Sequence, residues 1–180
     1  MHRQTLIALL DRYVTRYPSE ADTALRFRDF VIRNPGCFER HLAEGHVTGS
    51  AWIVDSTGER TLLTHHRKLN IWLQPGGHAD GDPDVLAVAR RECFEETGLT
   101  DIVAVSEEIF DLDIHGIPAR KEIPGHYHYD VRFLFRVVGD HEFVVSEESH
   151  DLAWVPLEKL EDYTTEWSMR RMREKALGVR

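Results

Sequence analysis

Cysteine is almost missing from this 180-residue chain: Cys37 and Cys93 are the only two, too few for a disulfide framework. Long apolar runs are missing as well. Near the start the longest is Leu6 to Leu10, far short of a signal-peptide core or of the roughly 20 residues that span a bilayer. Neither export nor a membrane partner is expected, and a reducing cytoplasm is the default compartment. Positive charge is in deficit, with 22 Lys and Arg against 31 Asp and Glu and a net charge of −9. A duplex nucleic-acid partner needs a basic field and is not expected here. A nucleotide substrate is still allowed, because a bound divalent ion inverts the local sign of charge. The length suits one domain with a small appendage, enough to bury about 70% of the unfolded surface.

What the chain does have is a distinctive stretch from Pro75 to Leu99, PGGHADGDPDVLAVARRECFEETGL. Pro75, Gly76, Gly77 and Gly81 forbid regular structure, and Asp82 with Pro83 makes an N-cap and first-turn pair. A helix is therefore expected from there to Thr97, with Gly98 as its C′ residue and Leu86, Ala89 and Cys93 on its buried stripe. At about 100° per residue, Glu92, Glu95 and Glu96 share an arc of about 100°, with Arg91 on the flank. Like charges at these spacings repel, and the helix C-terminus disfavours anions further. A hard divalent cation turns that repulsion into a site, since Mg²⁺ and Mn²⁺ prefer carboxylate oxygens.

The run Arg91-Glu92-Cys93-Phe94-Glu95-Glu96-Thr97-Gly98-Leu99 resembles the second half of the box REUxEExGU of the Nudix (MutT-like) hydrolase family. Gly77, fourteen residues before Arg91, stands where the box has its first glycine. One position departs: Pro83 occupies the place of the box's first glutamate, and adjacent Asp82 is placed to take over part of its role. The resemblance covers about residues 45 to 165 and implies an α/β/α sandwich built on a mixed sheet. It also implies a Mg²⁺- or Mn²⁺-dependent hydrolase that cleaves a diphosphate bond in a nucleoside diphosphate linked to some group X. Glu92, Glu95 and Glu96 are then metal ligands, with Glu92 or Glu95 also handling the proton. Arg91 orients those carboxylates, and Glu147 or Glu148 is the candidate general base.

Along the chain, Leu6, Leu9, Leu10, Tyr13 and Tyr17 keep a helical period that Pro18 closes. A second helix follows, with Ser19 and Asp22 as a capping box and Ala21, Leu25, Val31 and Ile32 inward, stopped by Asn34-Pro35-Gly36. Residues 1–44 thus read as a helical extension to a domain at 45–180. It either packs on the core, joins a homodimer interface, or closes over substrate. Strands are expected at residues 46–54, 60–66, 71–74, 102–112 and 126–138, a loop at 115–125, a short strand from Trp154 and a closing helix from Thr164 to Leu177. Strands alternating with helices in this order give an α/β fold.

Histidines crowd the second domain: His46, His65, His66, His78, His115, His126 and His128. Imidazole is a common transition-metal ligand, and His126 and His128 share one strand face. Gly77-His78 resembles the pair that opens the equivalent segment of isopentenyl-diphosphate isomerase, a Nudix-fold enzyme with histidines at its metal. That resemblance implies an additional transition-metal site joining His46, His78 and a box glutamate. Isomerase activity itself is disfavoured, because Gly76 stands where that enzyme has a catalytic cysteine. Gly77, Arg67 and Arg120, with Lys68 and Lys121 beside them, are candidate contacts to substrate phosphate, as loops over a rigid scaffold usually carry specificity. Trp52, Trp72, Tyr127 and Tyr129 are aromatic enough to stack on a base, although core packing suits most of them better. A non-catalytic ligand-binding module is the alternative that Pro83 keeps alive.

Overall fold

The computed structural model describes residues 2–120, 124–139, 142–147 and 149–178. Two helices come first, α1 (Gln4–Arg16) and α2 (Ala21–Arg33), joined by a 3₁₀ turn at Pro18–Glu20. Then follow β1 (Gly45–Val54), β2 (Arg60–His66), β3 (Ile71–Leu73), β4 (Gly76–His78), α3 (Val85–Thr97), β5 (Ile102–Ala104), β6 (Asp111–Ile117), β7 (His126–Val137), β8 (Ser149–Pro156) and α4 (Trp167–Gly178). Among the described residues no helix is long and apolar enough to cross a membrane.

The strands form one mixed sheet around a central parallel pair, β1 and β7, which run side by side from Gly45↔Tyr127 to Val54↔Arg136. Each of these two strands carries two antiparallel neighbours on its outer edge. β1 pairs with β4 at Thr48–Ser50 and with β2 at Ile53–Val54, while β7 pairs with β6 along residues 126–132 and with β5 at 135–137. β3 and β8 complete the sheet on β2. Alternation along β1 and β7 sorts the side chains onto two faces. Val47, Ala51, Ile53, Tyr129, Val131, Phe133 and Phe135 join the core with α1, α2 and α3, whereas Trp52, Val54 and Leu134 join a second core with α4. The expected α/β arrangement, a mixed sheet with helices on both faces, is present. The N-terminal helices share the first core rather than building their own: Phe30 stacks on Tyr129 at 3.7 Å and Phe27 meets the same ring edge-on at 5.3 Å.

Several local expectations are corrected. The helix after the glycine loop begins at Val85, because Asp84 is its cap and accepts from Ala87 N–H at 3.0 Å. Gly98 does close it, at φ 73°. The buried stripe is Val85, Val88, Ala89 and Cys93, with Leu86 only partly covered. No capping box starts α2, which runs on from the 3₁₀ turn without a side-chain cap. Its inner face is Ala24, Phe27, Phe30 and Val31, leaving Leu25 and Ile32 exposed. The single strand expected at 102–112 is two, since the chain leaves the edge of β7 around Ser106-Glu107-Glu108 and rejoins it as β6, which takes in His115–Ile117. The closing helix starts at Trp167, after a 3₁₀ stretch at Leu157–Asp162.

The correction that matters most is β4. Glycines 76 and 77 were expected to be loop, yet the open edge of β1 captures them with His78 as a strand. Without side chains they can lie where others cannot. A Cβ on Gly76 would stand 2.0 Å from Ser50 Oγ, and one on Gly49 of β1 would stand 2.9 Å from Val88, so α3 packs directly on the sheet.

Candidate active site

The carboxylates of α3 reach β4 from one side. Gly76 N–H donates to Glu96 Oε1 at 2.8 Å, and the Glu92 carboxylate fills the space a Gly77 side chain would need, 2.3 Å from an ideal Cβ. Arg91 bridges the same two elements. Its Nη2 donates to the His78 carbonyl at 2.9 Å and to Glu92 Oε1 at 3.2 Å, while Nε lies 3.8 Å from Glu95 and Nη1 3.9 Å from Asp82. Asp82 thus stands beside Arg91, and its Oδ1 accepts from Asp84 N–H at 2.9 Å. Glu92 is mostly covered, whereas the Glu95 side chain is 57% exposed. Burial pushes the Glu92 carboxyl above its ordinary range and the charge of Glu95 adds to that, against the opposing hydrogen bond from Arg91. An acidic surface short of positive charge, made of hard oxygen donors, fits a hard divalent cation.

On the other face of β4 and β1 lies the histidine cluster. His46 of β1 is register partner of His128 of β7, and His78 projects from β4 opposite Thr48. Ring centroids are 4.9 Å apart for His46 and His78, 4.8 Å for His46 and His128, and 5.1 Å for His78 and His128. One ligand atom from each of the three lies within 4.8 Å of the others. His126 and His115 border the group, 5.0 Å from His46 and 5.5 Å from His128. His46 is 2% exposed, and neither of its ring nitrogens has a hydrogen-bond partner. Leaving such a buried group unmatched costs about 1–3 kcal/mol. Burial, reinforced by the neighbouring histidines, pushes the imidazoles down, His46 to about 4 and His128 to about 3. The structure therefore joins His46 and His78, but their third companion is His128 and not a box glutamate.

Further along the same sheet face runs a buried chain of charge that the sequence did not signal. Asp130 accepts from Thr48 Oγ1, Ser50 Oγ and Arg132 Nε at 2.7–2.8 Å. Burial opposes its ionisation, but the Arg132 charge and these hydrogen bonds prevail and hold it below the ordinary carboxylate range. Arg132 continues to Asp111 at 3.1 Å and Asp113 at 3.4 Å. Asp111 accepts in turn from Arg171 and Lys175 of α4, and Lys175 also reaches Tyr13 and Glu20.

The remaining candidates are scattered. Gly77 lies under Glu92 in β4, whereas Arg67 is exposed and donates to the Ser149 carbonyl at 3.0 Å. Lys68, Arg120 and Glu147 are exposed, the last in the turn before β8; Lys121 and Glu148 lie outside the described residues. Trp52 and Tyr129 are core, Trp72 stacks on His65 at 4.9 Å, and Tyr127 is exposed. Both cysteines are buried thiols. A surface cavity of about 590 Å³ between Arg60, Pro156 and Arg173 contains none of the candidate residues.

Comparison with known proteins bears on the family and the fold. The chain is 36% identical over 63 residues to the m7GpppN-mRNA hydrolase NUDT17 of Danio rerio, a match covering 32% of this chain and 21% of that protein. For the Xenopus laevis protein of the same name the identity is 33% over 87 residues, covering 42% and 29%. The chain thus spans less than a third of the length of these curated relatives. Among solved structures it superposes on a C. elegans Ap4A hydrolase with TM-score 0.60 at 19% identity, covering 73% of this chain and 95% of that one. A MutT protein from Methanosarcina mazei Go1 gives TM-score 0.59 at 24% identity, covering 76% and 96%; both likenesses concern the fold. A family profile described as NUDIX domain matches residues 45–176, and the chain belongs to the NUDIX family.

Proposed function

We propose that this chain hydrolyses a phosphoanhydride bond in a nucleoside diphosphate linked to a further group, with Mg²⁺ or Mn²⁺ held by Glu92, Glu95 and Glu96. The observation that carries the reading is the contact between α3 and β4. A helix face of three carboxylates is tied to a glycine strand by Gly76 N–H, by the vacant side-chain position of Gly77 and by Arg91. Such an ion supplies neutralisation of charge on phosphoryl oxygens and activation of water.

The chain's own residues do the positioning. Arg91 fixes the side chain of Glu92 and the carbonyl of His78 together, so the carboxylate and the strand keep one spacing. Gly77 gives the Glu92 carboxylate room to lie against the strand, and Arg67 and Arg120 are the proposed contacts to substrate phosphate from exposed positions. Glu95, the most exposed of the three, is free to turn toward an incoming water or ion, and Glu147 is the proposed general base. Residues 1–44 serve as an extension packed on the domain at 45–180. The nucleoside and the group X belong to loops and are open among nucleoside triphosphates, nucleotide sugars, dinucleoside polyphosphates, ADP-ribose and capped RNA.

The test is turnover of that panel with Mg²⁺ and with Mn²⁺, for the unaltered chain and for Glu95→Gln. We expect a loss of about 10²- to 10³-fold with circular dichroism unchanged, as for removal of one preorganised electrostatic group. Equal turnover would take the carboxylate face out of the mechanism, and binding without turnover in the unaltered chain would favour a ligand-binding module.

A further inference from the structure

The carboxylate face leaves the histidine cluster unexplained. Three strands that meet only in the folded sheet bring His46, His78 and His128 to one face, with a ligand atom of each within 4.8 Å of the other two. Three imidazoles gathered in a triangle present nitrogen atoms of the kind that ligate transition metals. His46 makes the point most sharply, being 2% exposed with both ring nitrogens unpartnered and rings on three sides.

We infer that His46, His78 and His128 form a binding site for a divalent transition-metal ion of the Zn²⁺ type, separate from the carboxylate face of α3. Nitrogen donors select borderline ions over Mg²⁺. Three protein ligands with a fourth position left open is the pattern of an accessible zinc site rather than a closed structural one. Metal–nitrogen bonds of about 2.0–2.1 Å place ligand atoms roughly 3.4 Å apart in a tetrahedron, so the present separations close by turning the side chains within their rotamers. The site stands back to back with the carboxylate face across β4, since Gly77 turns to Glu92 and His78 to β1. It does not depend on the hydrolase reading.

The experiment is titration of the intact, metal-stripped chain with Co²⁺, reading the visible ligand-field bands of the ion and their loss to Zn²⁺. One equivalent with a nitrogen-ligated spectrum is expected. His46→Asn and His128→Asn each weaken it by about a hundredfold or more, judged against the 10- to 100-fold cost of disturbing even an outer-shell partner. A chain with Glu92, Glu95 and Glu96 all changed to Gln keeps it unaltered while losing any hydrolysis, which separates this site from the proposed function. Should the histidine variants not fold, X-ray absorption of the unaltered, zinc-loaded chain decides: an imidazole nitrogen shell at about 2.0–2.1 Å supports the site. An all-oxygen shell, a cobalt spectrum that survives both histidine changes, or one that disappears with the carboxylates would each overturn it.

Discussion

Two adjacent glycines in β4 do different work, and single substitutions separate them. The nearest atoms to a methyl on Gly77 are the end of the Glu92 side chain, which can swing aside. Gly77→Ala should therefore leave stability within about 1 kcal/mol while displacing a carboxylate from the proposed site, lowering turnover at least tenfold. A methyl on Gly76 meets Ser50 down to its Cα at 2.9 Å, and overpacking against backbone destabilises by about 1–3 kcal/mol. Urea denaturation beside a turnover assay reads both; similar behaviour of the two variants would contradict the geometry. The sequence showed these glycines as breakers and the box glutamates as one helix face, because both facts are local. That Glu92 sits beneath Gly77 is a contact between separate elements. His128 was visible as half of an HxH pair, but its place beside His46 follows from the parallel register of β1 and β7, strands some 80 residues apart.

Elements declare themselves through period and punctuation, and fail where two faces compete. Helix α2 has an apolar arc wider than the face it buries, so Leu25 and Ile32 were as eligible for burial as Phe27 and Phe30. Stacking on Tyr129 decides it, and no helical periodicity contains a residue from β7. The β1–β2 turn was legible because Asp55, Thr57 and Gly58 carry turn chemistry in themselves. Asp55 is 1% exposed and accepts from Thr57, from Glu59 N–H and from Arg60. Burial alone would raise its pKa, but those hydrogen bonds lower it overall. A carboxyl with a lowered folded pKa contributes stability that is complete above the unfolded value of about 3.9 and is lost as pH falls through the folded one. Asp55→Asn should thus lose about 1–3 kcal/mol near neutrality, and its deficit against the unaltered chain should shrink below about pH 4. Denaturation series at the two pH values measure this; a deficit that grows in acid would refute it.

For the whole molecule, the class of fold was readable from the order of elements and the motif, whereas the way the ends are joined was not. Helices α1 and α2 share the core of the sheet, and Lys175 near the end of α4 donates to Tyr13 of α1 and to Asp111 of β6. Contacts spanning more than 150 residues leave no trace in local pattern. The expected consequence is one cooperative unit: Phe27→Ala, at a fully buried position, should cost about 3–5 kcal/mol and keep a single unfolding transition, and two transitions would show the extension folding apart. The central claim is chemical, that water attacks phosphorus in a phosphoanhydride at the face between α3 and β4. Turnover of the nucleotide panel in ¹⁸O-labelled water tests it most directly. Label is expected in a phosphoryl product, formed only with a divalent ion and lost in Glu92→Gln; product without label on phosphorus, or formed equally well by that variant, would contradict it.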